Sequence, residues 1–116
     1  MYERTIRKYL DDLDLLAWVD HLELGLETIV GEKGVRLSAG QKQRVKLIRG
    51  LLLERDIYLL DEPTSHLDTA TEQKVIDFLR HRLEGKTAVI VTHRPGLQQL
   101  CDQSYTFKNH SLIKAT

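Results

Sequence analysis

The chain has 116 residues, of which 41% are hydrophobic and 29% charged, and this length favours one compact unit over two domains. Its seventeen basic and seventeen acidic side chains cancel, so the chain as a whole lacks the positive field that draws proteins to nucleic acids or anionic membranes. Composition therefore argues against a nucleic-acid-binding protein, and no nucleic-acid partner is expected.

The first part of the chain predicts helices. Four apolar residues recur at helical spacing with aspartates between them, which is typical of one amphipathic helix: Ile6, Leu10, Leu13 and Ala17. Residues 21–33 then predict a second short helix and a loop. Tyr9 and Trp18 are expected to pack in the core or between subdomains.

A third helix is predicted from Ala39 to about Glu54, with Ser38 as its N-cap. Its spacing separates an apolar side from a basic side. The apolar side holds Val45, Ile48 and Leu52, and the basic side holds Lys42, Lys46 and Arg49. The basic side is interpreted as a solvated helix face and not as a nucleic-acid patch.

Two short apolar runs, residues 57–60 and 87–91, predict buried strands. Between them lies a helical pattern that Gly85 ends, so the strand, helix and second strand predict a parallel crossover. The tail predicts a hairpin, with strands at 104–107 and 111–113. The expected fold class is α/β.

The number of cysteines and the length of the apolar runs indicate the cellular compartment in which the chain is expected. Cys101 is the only cysteine, so no internal disulfide can form, and we expect it to be a buried small hydrophobe. No secretory leader is recognised in residues 1–20, and no apolar run approaches the roughly 18 residues of a membrane span. A cytoplasmic location is therefore expected.

Polar residues follow both predicted strands: Asp61 and Glu62 after the first, and His93 after the second. In open α/β sheets, ligands bind beyond the carboxyl ends of the strands, so these side chains are candidates for one site. Asp61 suits a phosphate-bound Mg²⁺, and Glu62 could polarise an attacking water. An equally open alternative is that the acidic pair and Pro63 only begin a turn or helix.

The segment Leu-Ser-Ala-Gly-Gln at 37–41 is a second candidate. Ser38 at a helix N-terminus, beside small residues, can approach a phosphate closely. Residues 37–60 also carry five basic and two acidic side chains, whereas residues 1–36 carry five basic and eight acidic. The alternative is an ordinary serine cap on a surface helix.

Four motifs in this order resemble the nucleotide-binding domain of ATP-binding cassette (ABC) proteins. They are Leu-Ser-Ala-Gly-Gln (37–41), Ile-Tyr-Leu-Leu-Asp-Glu-Pro (57–63), Ser-His-Leu-Asp (65–68) and Val-Thr-His (91–93). They are similar to the family's signature loop, Walker-B strand with catalytic glutamate, D-loop and switch histidine. Residues 28–34 are similar to a segment of exporter-type members that faces the membrane domain.

The resemblance implies roles for individual residues. Ser38, Ala39, Gly40 and Gln41 would lie at the γ-phosphate of an ATP held by an opposing nucleotide-binding domain. Asp61 would hold Mg²⁺ through water, Glu62 would be the general base, and His93 would clamp the γ-phosphate. Asp68 would communicate across the dimer. The implied cofactors are ATP and Mg²⁺, and the implied partners are the opposing domain and a transmembrane domain.

The sequence departs from the family pattern in three places. Ala39 replaces the usual first glycine of the signature, and His66 replaces a small D-loop residue, which bears on D-loop packing. No G-x-x-x-x-G-K-[S/T] occurs in the 116 residues. We therefore expect the C-terminal portion of a nucleotide-binding domain with a partial P-loop NTPase-like fold. About 1–36 would be helical subdomain, and about 37–116 the signature helix and the second part of the catalytic core.

Three functions follow as hypotheses. The first is part of the ATPase of an ABC transporter of exporter type, at the cytoplasmic face of a membrane and inactive alone. The second is a non-catalytic interaction module that self-associates or swaps domains through exposed sheet edges. The third is a DNA-repair or chromosome-maintenance ATPase, but the sequence shows neither coiled-coil heptads nor a basic face that would support it.

Overall fold

The computed structural model describes residues 2–31 and 34–115. In chain order, the elements are α1 (Tyr2–Asp12), α2 (Leu16–Asp20), a one-turn 3₁₀ helix (Gly25–Glu27), α3 (Ala39–Leu51), β1 (Ile57–Asp61), α4 (Thr69–Arg82), β2 (Thr87–Val91), α5 (Pro95–Gln98), β3 (Ser104–Lys108) and β4 (Ser111–Ala115). Helices thus precede a strand–helix–strand unit and a hairpin, and the α/β class is confirmed. Among these residues, no helix is both long enough and apolar enough to cross a membrane.

The single N-terminal helix predicted through Ala17 was wrong, because the chain breaks into α1 and α2. Asp14 adopts a left-handed backbone with φ of 63° and ends the first helix. The turn places Leu13 and Leu15 in the core, where they are 0% and 1% exposed. A continuous helix would send residues two apart to different faces, so burying both leucines requires the break.

Within residues 21–31, the helical element is the one-turn 3₁₀ helix, and the other residues lie in turns and loop. The second short helix predicted in this region is therefore reduced to a single turn. Val30 and Val35 pair in an isolated parallel bridge. Residues 32 and 33, which belong to the segment similar to exporter-type members, lie outside the described part of the chain.

The faces predicted for α3 are confirmed. Ile48 is buried and Val45 and Leu52 are half-buried, whereas the three basic residues of the opposite side are exposed. The helix ends at Leu51, three residues earlier than predicted.

β1 and β2 pair in parallel, with Ile57 opposite Thr87 and Asp61 opposite Val91, and α4 makes the crossover. Tyr58, Leu60, Ala88 and Ile90 pack into or against the core. The prediction of strands buried on both faces was wrong, because the alternate residues are more than half exposed: Ile57, Leu59, Val89 and Val91. No described element covers that second face.

One hydrophobic core joins α1, α2, α3 and α4 to the inner face of β1. The rings of Tyr9 and Phe78 meet edge to face with centroids 5.0 Å apart, and Trp18 packs against the same core. The packing role predicted for Tyr9 and Trp18 is confirmed. Burying each large aliphatic side chain of this core contributes about 1.5–3 kcal/mol, so the core holds the strand ends in place.

The predicted C-terminal hairpin is confirmed, with β3 and β4 antiparallel. Asn109 and His110 form its turn with φ of 52° and 62°, the left-handed pair that a two-residue hairpin loop requires. The expectation that Cys101 is buried was wrong, because its side chain is exposed. Leu97, one helical turn earlier, takes the buried position with 0% exposure.

Candidate functional site

Glu62 and His93 meet where the parallel strands end. The backbone N–H of Glu62 donates to the carbonyl of Val91 at 2.7 Å, which fixes the residue after β1 against the end of β2. His93 Nε2 then lies 3.6 Å from Glu62 Oε1. The His93 side chain is 95% exposed and that of Glu62 is 31% exposed, so both remain open to an incoming molecule. The structure thus brings the two predicted catalytic candidates together.

Glu62 has an unusual backbone, with φ of 49° in the left-handed region. This conformation costs a residue with a side chain of order 1–3 kcal/mol and persists only where surrounding contacts impose it. Two such contacts are present. Val91 accepts from the Glu62 N–H, and the side chain of Gln43 donates from Nε2 to the Glu62 carbonyl at 2.8 Å. The carboxylate is therefore aimed by a backbone held from both sides.

Asp61 is the last residue of β1 and is exposed. A single exposed carboxylate at a strand end fits Mg²⁺, which typically takes one or two carboxylates together with waters and substrate phosphates. Among residues 2–31 and 34–115, no three His, Cys, Asp or Glu side chains gather into a metal cluster.

The N-terminus of α3 forms a capping box. Ser38 Oγ accepts from the backbone N–H of Gln41 at 3.1 Å, and Gln41 Oε1 accepts from the backbone N–H of Ser38 at 3.0 Å. The Ser38 hydroxyl proton and the Gln41 side-chain NH₂ donate to no other described residue. Ala39 and Gly40 form the first turn between them. The serine cap was predicted, and two donors remain available there for an anion.

The loop 62–68 packs directly on α3. A Cβ placed on Gly40 would lie 3.2 Å from both the His66 carbonyl oxygen and Leu67 Cδ2, so a side chain there would be tightly packed against the loop. Gln43, one turn further along the helix, donates to Ser65 Oγ at 3.1 Å and accepts from the His66 N–H at 3.1 Å. The His66 side chain is exposed. Its size therefore leaves the backbone packing of the loop intact.

Arg94, the residue after His93, ties the same loop to β2. Its guanidinium donates to the carbonyls of Leu67 at 2.8 Å and Ser65 at 3.0 Å, and to Glu72 Oε2 at 2.9 Å. Thr64, which is fully buried, donates to the same carboxylate oxygen at 2.7 Å. Burial raises the pKa of Glu72, but the hydrogen bonds from Thr64 and Arg94 outweigh it and leave that pKa below its ordinary value.

Asp68 is the N-cap of α4 and accepts from the Thr71 N–H at 2.7 Å. This backbone hydrogen bond lowers the pKa of Asp68. The carboxylate is therefore engaged within its own chain, and its role across a dimer stays a prediction.

Sequence reasoning missed three residues that organise the site: Gln43, Glu72 and Arg94. The side chains of Gln43 and Arg94 bond to main-chain atoms 19 to 29 positions away. Glu72 bonds instead to the side chains of Thr64 and Arg94, 8 and 22 positions away. No local spacing marks such a contact. The one available hint was position, since Arg94 follows a candidate site residue directly.

Comparison with known proteins identifies relatives over most of the chain. A family model described as "ABC transporter" matches residues 3–65. The chain is 45% identical over 92 residues to a "Multidrug resistance protein" of Leishmania tarentolae, covering 78% of this chain and 6% of the relative. It is 40% identical over 89 residues to an "ATP-dependent lipid A-core flippase" of Hahella chejuensis, covering 77% and 15%. It is 38% identical over 113 residues to "ABC multidrug transporter mdr1" of Aspergillus fumigatus, covering 97% and 8%.

The chain is much shorter than these proteins. It spans 6%, 15% and 8% of the three relatives. The match therefore concerns one region of each relative.

Proposed function

Because the chain belongs to the ABC transporter family, we propose that it is part of the ATP-hydrolysing domain that powers a transporter of exporter type. The observation that carries the proposal is the 3.6 Å approach of His93 Nε2 to Glu62 Oε1 at the end of the parallel strands. The relatives named a multidrug resistance protein, a lipid A-core flippase and an ABC multidrug transporter support the exporter class. We further propose a P-loop NTPase-like core, to which the parallel β1–β2 pair would belong.

In this proposal Glu62 takes a proton from a water whose oxygen bonds to the γ-phosphorus of ATP, while the bond from that phosphorus to the β–γ bridging oxygen breaks and ADP leaves. Its carboxylate is half-exposed and its backbone is held from both sides, which favours a fixed position for the base. His93 donates to a γ-phosphate oxygen and holds the phosphate in line with the water. Little covalent chemistry falls to the protein, so rate enhancement comes from positioning and from neutralising charge.

Asp61 would hold Mg²⁺ through a water at the same edge. When bound, Mg²⁺ supplies positive charge to the phosphates. Asp61 is exposed there, so a hydrated ion can approach it.

Ser38, Ala39, Gly40 and Gln41 would face ATP held by an opposing nucleotide-binding domain. The free donors of Ser38 and Gln41, together with the positive end of α3, support this assignment. Asp68 would lie near the same dimer contact. The methyl group of Ala39, exposed at the first helical position, would stand beside the phosphate path. We propose a transmembrane domain as the second partner and the cytoplasmic face of a membrane as the location.

The 116-residue polypeptide is proposed to lack ATP turnover on its own. No G-x-x-x-x-G-K-[S/T] occurs in these residues, and the backbone cradle of that motif binds the phosphates in P-loop proteins.

A chimera tests the catalytic assignments. The matched region of the Hahella chejuensis flippase is replaced by this chain, to which it is 40% identical over 89 residues. We expect ATPase activity that Glu62→Gln lowers by about 100-fold or more, the usual range for loss of a general base. His93→Ala should lower it by about 100-fold, the usual effect of removing one hydrogen-bond donor from the developing charge. Glu84→Gln, an exposed carboxylate after α4, is the matched control and should leave activity unchanged. An active Glu62→Gln chimera would contradict the proposal.

A second candidate function, a self-associating interaction module, is favoured by the bare face of the two-stranded sheet. Ile57, Leu59, Val89 and Val91 are 62%, 77%, 53% and 56% exposed. Apolar side chains in one contiguous patch promote association. Concentration-dependent light scattering of the isolated chain tests this candidate, and a monomer at all concentrations argues against it.

A further inference from the structure

Gln43 connects the two ends of the candidate site. It lies on α3 one turn beyond Gly40, and its side-chain amide makes three hydrogen bonds to the loop 62–68. We propose that Gln43 is a positioning residue that holds Glu62 in its catalytic conformation and joins it to the phosphate-binding end of α3. This inference rests on the function proposed above.

Both ends of the Gln43 amide are used. Nε2 donates to the Glu62 carbonyl at 2.8 Å and to Ser65 Oγ at 3.1 Å, while Oε1 accepts from the His66 N–H at 3.1 Å. Only a side chain with a donor and an acceptor at this reach can make all three bonds. Glutamate keeps the acceptor and loses the donors, and methionine loses both.

The Glu62 backbone needs this support. Its left-handed φ of 49° is unfavourable for a residue with a side chain, and a return to an extended conformation would redirect the carboxylate. The bond to Val91 restrains the N–H side of the residue, and the bond from Gln43 restrains the carbonyl side. Without the bond from Gln43, the Glu62 carbonyl is free to turn. The position of the Glu62 carboxylate relative to His93 is then no longer fixed.

The same contact transmits displacement of α3. Ser38 caps the helix, a Cβ on Gly40 would lie 3.2 Å from the His66 carbonyl oxygen, and Gln43 follows at the next turn. A rigid helix moves as one body, so a ligand that draws the Ser38 end shifts the amide bonded to Glu62. In the proposed dimer, Ser38 serves the ATP of the opposing domain. Gln43 would then make the position of Glu62 depend on occupancy of the other nucleotide site.

The first arm of the test is amide exchange measured by NMR on the 116-residue chain. Gln43→Met should raise the exchange rate of the His66 amide by about fivefold, the worth of one ordinary hydrogen bond, whereas Gln43→Glu should preserve its protection. Lys46→Met, an exposed position on the same helix, is the matched control. Unchanged His66 exchange in Gln43→Met would overturn the proposal.

The second arm is steady-state kinetics of the flippase chimera. Gln43→Met and Gln43→Glu should each lower kcat by about tenfold and change KM for ATP less than twofold, because the carboxylate is misplaced while nucleotide binding is not. Unchanged kcat in both variants, alongside an inactive Glu62→Gln, would overturn the positioning role and leave the proposed function standing. An active Glu62→Gln chimera would overturn the proposed function, and the role of Gln43 in catalysis with it.

Discussion

Arg94 and Glu72 form an ion pair of 2.9 Å whose members are only 32% and 12% exposed, and it joins the residue after His93 to the first turn of α4. The same guanidinium reaches the carbonyls of Ser65 and Leu67. One side chain therefore fixes the loop between β1 and α4 against the end of β2.

Replacing Arg94 by methionine should lower the free energy of unfolding by about 2 kcal/mol, because a mostly buried carboxylate loses its partner and two carbonyls lose a donor. Urea denaturation measures the change. Arg80→Met is the control, since Arg80 pairs with Asp77 at 3.6 Å on the exposed surface and should cost under about 0.5 kcal/mol. Equal losses in the two variants would count against the network.

The lowered pKa of Glu72 predicts a pH dependence. Its ionised form is favoured in the folded state, so its contribution to stability is complete above the ordinary pKa of 4.5 and is lost as the pH falls below that value. As the pH falls from about 5 to about 3, the free energy of unfolding of Glu72→Gln should therefore decrease less than that of the wild type. Urea midpoints across the range measure this, and parallel curves for the two proteins would refute it.

Two glycines of α3 provide a matched pair. Gly40→Ala places a Cβ 3.2 Å from the His66 carbonyl and Leu67 Cδ2, whereas Gly50→Ala meets open space. We expect Gly40→Ala to destabilise the fold by about 1–2 kcal/mol and Gly50→Ala to stabilise it by about 0.5–1 kcal/mol. Thermal unfolding of both variants measures the difference. Stabilisation by both would show that α3 and the loop 62–68 are not in close contact.

The bare sheet face predicts association of the isolated chain. Leu59→Lys removes the most exposed aliphatic side chain of that face, and we expect it to shift the chain towards monomer. Leu53→Lys, at a 53% exposed position outside the sheet, is the control. Sedimentation velocity over a range of concentrations distinguishes them, and an equal shift in both variants would point to a general effect of charge.

Much of the fold follows from local sequence signals. β2 has the predicted bounds, Gly85 ends the α4 region with φ of 76°, and the hairpin forms around its two left-handed residues. Helix capping, strand propensity and turn formation depend on a few neighbouring residues, so a short stretch of sequence is enough to predict them.

Burial was predicted less well. Aliphatic runs show that β1 and β2 can bury two faces, but among the described residues only one face is covered, which depends on tertiary partners. The first helix breaks at Asp14, where Leu13 and Leu15 are both buried in the core. The helical spacing of the apolar residues does not show that both leucines are buried, so it could not predict the break.

Of the candidate site, the sequence predicted the polar strand ends and the serine cap. The contacts of Gln43 and Arg94 could not be predicted, since side chain to backbone hydrogen bonds between distant residues leave no periodic signal.

We propose that this chain presents the Ser38 end of α3 to an ATP held by another domain. Isothermal titration of the isolated chain with ATP should give a millimolar or weaker Kd, about 4 kcal/mol poorer than a micromolar site. Adding a complete ABC nucleotide-binding domain, with its general-base glutamate changed to glutamine, should produce an ATP-dependent complex in sedimentation velocity. Ser38→Arg should abolish that complex, and Ser104→Arg, outside the site, should not. Tight, adenine-selective binding by the isolated chain, or no complex in the presence of ATP, would show that the Ser38 end of α3 does not have this role.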